Sequence, residues 1–165
     1  MKALFIGRFQ PLHKGHLKII QNISKNYCEV IIGIGSSQYG YTSENPFTAD
    51  ERILMIKNVL EKVGVKNYRI VSIPDIHNPP KWVEHVLSIF SDFEVVISNN
   101  SLTKRLFSEK GYKVIETPLY NKDKYSGKEI RKRIKMGEHW DNLVPHEVFN
   151  IIKDVDGIKR IKDLS

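Results

Sequence analysis

The stretch KALFIGRFQPLHKGH (residues 2–16) decides how the rest of the chain is read. Lys2–Gly7 is an apolar run of strand length. A helical pattern follows the turn, in which Leu17, Ile20, Ile23 and Tyr27 share one face. Four more runs repeat the first: Glu29–Gly35, Tyr68–Ile73, Phe93–Ser98 and Tyr112–Glu116. They are rich in Val and Ile, and the second is nearly continuous, as expected of a strand covered on both faces. Helical patterns separate them. Ile53, Ile56, Leu60 and Val63 recur behind Thr48 and Glu51, which have capping-box spacing. Trp82, Val83, Val86, Leu87 and Phe90 follow Pro79-Pro80, and Leu102, Leu106 and Phe107 mark a fourth helix. Strand alternating with helix requires crossover connections, hence an α/β fold with a parallel five-stranded sheet and helices on both faces. Helices over 127–136 and roughly 145–154, and a tail with Ile158, Ile161 and Leu164, close the chain.

The 165 residues read as one domain, 1–165, with a helical C-terminal extension from about 137. No apolar run approaches the roughly 18 residues of a membrane span, and the first apolar run is too short for a secretory signal. A cytoplasmic protein with no membrane partner is expected. The single cysteine, Cys28, excludes an internal disulfide and a multi-cysteine zinc site.

The net charge is +7. Residues 122–135 (KDKYSGKEIRKRIK) carry seven basic and two acidic residues, and the last thirty carry a net negative charge. A protein tracking a long polyanion needs several basic stretches, whereas one compact cluster fits one phosphorylated ligand. The alternative for the cluster is a solvated helix face. The chain carries no recognisable nucleic-acid-binding signature, and no nucleic-acid partner is expected.

Ligands of parallel sheets bind beyond the carboxyl ends of the strands, so the turn after the first strand carries the most weight. Gly7 lets backbone approach a ligand. His13 and His16, three apart at a helix entrance, project to one side, and Gly15 between them leaves room for a bulky group. The helix start supplies free amides and partial positive charge, and Arg8 adds a bidentate grip. Two such histidines could ligate a metal, but no third ligand stands near them and no residue is assigned to one.

The G-R-F-Q-P-x-H-x-G-H segment from Gly7 to His16 resembles the signature of the archaeal-type nicotinamide-nucleotide adenylyltransferases, within the nucleotidylyltransferase superfamily with the H-x-G-H motif. The similarity continues through N-P-F-T-A-x-E-R-I (Asn45–Ile53), the D-I…W-V segment (Asp75 to Val83), R-L-F-x-x-x-G-Y (Arg105–Tyr112) and Y-S-G-x-E-I-R-x-R (Tyr125–Arg133). It implies a Rossmann-like, doubly wound sheet. It implies transfer of the adenylyl group of ATP to nicotinamide mononucleotide, giving NAD and pyrophosphate, with magnesium or another divalent ion accompanying ATP. By the same resemblance His13, His16 and Arg131 are catalytic. Gly7, Arg8, Phe9, Gln10, Asn100 and Ser126 join them in binding ATP, while Asp75, Ile76, Asn78 and Trp82 bind the acceptor, Trp82 stacking on the pyridine ring. Ser126 with Glu129 is also a possible capping box. The resemblance further implies a homo-oligomer.

Three positions depart from the family pattern: Lys128 replaces a threonine, Asn99 a glycine, and Pro79 an asparagine, with Asn78 one position early. The last two touch substrate pockets. Nicotinate mononucleotide, FMN and phosphopantetheine therefore stand as alternative acceptors. The remaining residues singled out are Cys28, His77, His85, His139, His146 and Trp140, read as structural, and the 120–125 segment, read as a loop beside the phosphates.

Overall fold

The computed structural model describes residues 1–118 and 121–164; Tyr120 of the expected phosphate-side loop lies outside the described residues. Strands β1 (Lys2–Gly7), β2 (Glu29–Gly35), β3 (Tyr68–Ile73), β4 (Val95–Ile97) and β5 (Lys113–Ile115) form one sheet in the order β3-β2-β1-β4-β5. Every neighbouring pair is parallel. Between and after them run α1 (Lys14–Asn26), α2 (Ala49–Val63), α3 (Pro79–Ile89), α4 (Ser101–Glu109), α5 (Gly127–Met136), α6 (His146–Asp154) and α7 (Gly157–Asp163), with a short 3-10 turn at Asp141–Leu143. Among the described residues no helix is long and apolar enough to cross a membrane.

Side-chain alternation along β1 and β2 explains the doubly wound architecture. Ala3, Phe5, Val30, Ile32 and Ile34 face a core closed by α1, α2, α5 and α6, where Ile20, Met55, Ile130 and Val148 meet. Leu4 and Ile31 face a smaller core closed by α3 and α4, with Val83, Val86 and Phe107. Both faces are thus buried, which is why the strand sequences run apolar without a break.

The fourth and fifth strands are shorter than their apolar runs. Only Val95–Ile97 pairs with Ala3–Phe5. Phe93 and Tyr112 leave the ladder to pack on Phe107, with ring centroids 6.2 and 5.7 Å away. The buried face of α2 is also turned by one residue from the expected one. It runs Arg52, Met55, Ile56, Val59 and Leu60, while Val63 is exposed. An arginine heading the stripe disguised it.

The register aligns the ends of the central strands. Gly7 lies opposite Ile34, and Ile34 opposite Ser72. The chain leaves β1 toward β2, while β4 flanks β1 on the other side. The crevice opens at this reversal of strand order, beneath the first turn.

Candidate active site

His13 is the N-cap of α1 and His16 is its third helical residue. The two close a reciprocal capping box made of imidazoles. The His16 amide donates to His13 Nδ1 and the His13 amide donates to His16 Nδ1, each at 3.2 Å. A nitrogen that accepts an amide hydrogen is unprotonated, so each neutral ring carries its proton on Nε2. The rings stack with centroids 3.6 Å apart, and the Phe9 ring lies 4.7 Å from that of His16. Three packed rings therefore fix two Nε2–H donors at the helix start. Burial holds His13 down to about 4. Burial, then the neighbouring His13, holds His16 well below the ordinary histidine value. Both rings are neutral at pH 7 until phosphate charge arrives to oppose that shift.

The depressed His13 value has a measurable consequence. Between pH 6.5 and about 4 the unfolded chain takes up a proton that the folded chain refuses. Stability is level above this window and falls as pH drops through it. His13→Asn keeps a capping oxygen and removes the titration. Urea melts from pH 8 to 4 should show a shallower acid loss in the variant than in wild type; parallel curves would contradict the assignment.

The glycine of H-x-G-H serves the histidines themselves. A Cβ at Gly15 would stand 3.0 Å from the His13 ring and 3.1 Å from Tyr125 Cβ. The bulky group expected against this glycine is thus His13's own imidazole together with Tyr125. Phe9 and Gln10 turn inward. Phe9 is 1% exposed with its ring against Gly7, and Gln10 is 2% exposed. The Gln10 carboxamide closes two hydrogen bonds with the Phe47 backbone, both 2.9 Å. It joins the first turn to the loop before α2, and its side chain is spent there.

Arg131 reaches the same turn from α5, donating from Nη1 to the Gln10 carbonyl at 2.7 Å. Burial lowers it to about 10, with repulsion from Arg8 second and Glu44 opposing, so it stays charged at neutral pH. Ser126 caps α5 by accepting the Glu129 amide at 3.1 Å. The capping box is only half formed, because the Glu129 carboxylate pairs with Arg133 instead. Arg133 also donates to the His139 carbonyl, which takes it out of the basic face. A Cβ at Gly127 would lie 2.7 Å from Arg131 Nη1 and 2.9 Å from the Gln10 carbonyl oxygen. Gly127→Ala should therefore push the guanidinium off its seat. The expected loss is about tenfold in kcat/KM for ATP with a lowered melting temperature, because the Gln10 backbone must shift as well, read by steady-state kinetics and calorimetry. An unchanged kcat/KM would show that this seat is not needed.

Arg52 is the arginine of the N-P-F-T-A-x-E-R-I segment, where its neighbours in the chain suggest no partner for it. It is fully buried. Its guanidinium donates to the carbonyls of Thr48, Arg8, Gly35, Ser36 and Tyr39 at 2.9–3.2 Å. One side chain thereby gathers the turn after β1, the loop after β2 and the start of α2. Arg160 does similar work from α7. It forms a two-pronged pair with Glu51 at 2.6 and 2.9 Å and stacks 4.0 Å over Tyr41. Arg8 keeps its guanidinium free of hydrogen bonds and ion pairs among the described residues.

A cavity of about 490 Å³ opens beside Arg8, with Asp75, Asn78, Trp82 and Asn100 in its wall. Trp82 stands edge-on to Phe107 at 5.6 Å, which holds the indole plane. Asn100 caps α4 by accepting the Thr103 amide at 3.0 Å. Ile76 does not line the cavity. Asn99 does not either: its carboxamide bonds the Thr117 hydroxyl and amide, so this departure ties two loops together. Pro79 starts α3 and lines the cavity next to Asn78. His77 is an unforeseen member of the wall. Its Nε2 lies 2.7 Å from the Tyr39 hydroxyl and its amide donates to Asp75 Oδ1 at 2.9 Å. An adjoining polar cavity of about 410 Å³ shares Arg8, Ser36, Asp75 and His77.

The family model for cytidylyltransferase-like proteins matches residues 4–133. A nicotinamide-nucleotide adenylyltransferase of Methanolobus tindarius is 47% identical over 99% of this chain and 94% of its own length. The nicotinamide-nucleotide adenylyltransferase of Archaeoglobus fulgidus is 46% identical over 100% of this chain and 98% of its own. Among solved structures, a bifunctional NMN adenylyltransferase/ADP ribose pyrophosphatase of Francisella tularensis, complexed with AMP and a manganese ion, superposes with a TM-score of 0.80 at 24% identity. The chain spans about half of that protein, covering 51% of its length, and the likeness supports the fold.

Proposed function

The chain belongs to the cytidylyltransferase-like family, and from that premise we infer that it transfers the adenylyl group of ATP to nicotinamide mononucleotide, forming NAD and pyrophosphate. The observation that carries the reading is the pair of imidazoles stacked at the start of α1, with Arg131 bonded to the same turn and a Trp82-lined cavity alongside.

The acceptor's 5′-phosphate is ionised at neutral pH, so no base is needed. One of its oxygens attacks the α-phosphorus of ATP. The bond from that phosphorus to the bridging oxygen breaks, and the electron pair leaves with pyrophosphate. What the protein must supply is alignment of two anions and donors for charge that grows on the phosphoryl oxygens. The Nε2–H groups of His13 and His16, the free amides of the helix start and the Arg8 guanidinium suit the α-phosphate. Arg131 suits the departing β- and γ-phosphates. Among the described residues no three His, Cys, Asp or Glu side chains gather into a metal cage. A divalent ion would arrive on the triphosphate and neutralise charge there, and no protein ligand is assigned to it.

Trp82 gives the acceptor pocket a flat face suited to a cationic pyridine ring. Trp82→Ala should raise KM for the mononucleotide roughly tenfold and leave KM for ATP unchanged, and Trp82→Phe should recover most of the loss. Equal effects on both substrates would contradict the placement. The acceptor is tested by comparing kcat/KM for nicotinamide mononucleotide, nicotinate mononucleotide, FMN and phosphopantetheine under ATP and magnesium. The highest value is expected for nicotinamide mononucleotide; a preference for either non-pyridine acceptor would overturn the reading. A cytoplasmic homo-oligomer belongs to the same proposal, checked by light scattering.

A further inference from the structure

The loop before α2 carries a residue in a backbone conformation that its side chain disfavours. Tyr41 stands at φ 57°, in the left-handed region, where a bulky residue is a genuine outlier. Such a conformation persists only where surrounding groups hold it, and it points to a function served by the position gained. The holding groups come from α7. The Arg160 side chain is 9% exposed. Its guanidinium stacks 4.0 Å over the Tyr41 ring and donates to the Tyr41 hydroxyl at 3.1 Å. It also donates to the Pro46 carbonyl at 3.0 Å, which accepts the Tyr41 amide at 3.1 Å. The two-pronged pair with Glu51 fixes the plane of the guanidinium. One arginine thus closes both ends of the 41–46 turn. Within the turn, the Asn45 amide donates to Thr42 Oγ1 at 3.0 Å and the Thr42 amide to the Asn45 carbonyl at 3.2 Å.

The position gained is a cavity wall. Thr42, Ser43, Glu44 and Asn45 line the polar cavity that continues the Trp82 pocket past Arg8. Asn45 is 8% exposed, and its Oδ1 has no hydrogen-bond partner among the described residues. A buried acceptor without a donor is costly unless a molecule in the cavity supplies one. Phe47, just beyond the turn, has anchors of its own. It is fully buried, and its amide and carbonyl both bond to Gln10. The first turn and its phosphate donors are therefore held separately from residues 41–46. We propose that Arg160, acting through Tyr41 and Pro46, is a positioning residue for the acceptor, holding the 41–46 turn in place as a wall of the site. The proposal rests on the adenylyl-transfer reading. It gives the C-terminal helix, which reads in the sequence as a mere tail, a part in acceptor binding.

The test is steady-state kinetics of Arg160→Met and Tyr41→Ala, each substrate varied in turn. KM for nicotinamide mononucleotide should rise about tenfold in both variants while KM for ATP holds. Tyr41→Phe keeps the ring beneath the guanidinium and should recover most of the loss. Tyr41 is exposed, so its variants should fold even where Arg160→Met does not. An arginine that served stability alone would lower the melting temperature and the amount of active enzyme and leave both KM values where they were. A wild-type KM for the mononucleotide in either folded variant, or equal rises in both KM values, overturns the proposal. If wild type makes no NAD, the adenylyl-transfer reading and this proposal fall together; NAD synthesis with an unmoved acceptor KM retires this proposal alone.

Discussion

Replacing His16 with alanine is expected to lower kcat by about 10²–10³-fold, the loss that follows removal of one preorganised donor to a developing oxyanion. The neutral His16 ring offers its proton at Nε2 because Nδ1 accepts the His13 amide. It is held between the rings of His13 and Phe9, so little reorganisation accompanies the reaction. Alanine also removes half of the helix cap, which costs about 1 kcal/mol. His16→Asn separates the two effects, since its carboxamide can accept the His13 amide and places no donor where Nε2–H stood. A melting temperature near wild type with kcat still depressed is the expected pattern, measured by calorimetry and initial rates. A near-normal kcat in both variants would remove His16 from the path of charge.

Arg52→Met should destabilise the fold far more than any of the active-site substitutions. The methionine fills much of the space but takes the guanidinium from five backbone carbonyls, of which those of Thr48 and Ser36 keep an amide donor. Leaving a buried carbonyl without its donor costs about 1–3 kcal/mol, so a total of roughly 3–5 kcal/mol is expected. In a chain of this size that lowers the melting temperature by about 10–15 °C. Arg52→Lys should recover little, because one ammonium cannot span carbonyls contributed by three segments. Activity should fall with stability in both, since three of the five carbonyls belong to Arg8, Gly35 and Ser36, which line the cavity of the candidate site. A melt within about 3 °C of wild type would refute this role for Arg52.

Arg52 also marks where reading the sequence stops. The five strands were visible as short apolar runs, most plainly β2, because a strand covered on both faces needs unbroken apolar residues and VIIGIG has no other comfortable use. The start of α2 was visible because Thr48 and Glu51 satisfy each other locally, and both bonds of that box are present. Local chemistry likewise exposed the first turn, where the two histidines and the helix start adjoin in the chain. Contacts that depend on distant segments left no such trace. Arg52 is a long cation on a helix and reads as surface until five carbonyls are seen to converge on it. Gln10 sits in the most legible motif of the chain, yet its carboxamide serves Phe47, 37 residues on. Asn99 reads as a lost glycine in a ligand loop until Thr117 is found opposite it. His77 has no sequence spacing to recommend it and acquires meaning only beside Tyr39 and Asp75.

The charge excess gains a sharper sense from the same geometry. Arg133 is withdrawn by Glu129 and the His139 carbonyl, and Arg131 is bent to the Gln10 carbonyl. The basic segment thus divides into a structural arginine, an arginine at the phosphate end and a lysine face beyond it.

One measurement bears most directly on direct adenylyl transfer to nicotinamide mononucleotide. Protein is mixed with ATP labelled at the α-phosphorus, magnesium and nicotinamide mononucleotide, and the label is followed through a single turnover. The label should enter NAD, with one pyrophosphate released per NAD and no label retained on the protein. Label bound to the protein, or ATP left intact while the mononucleotide is present, would contradict it.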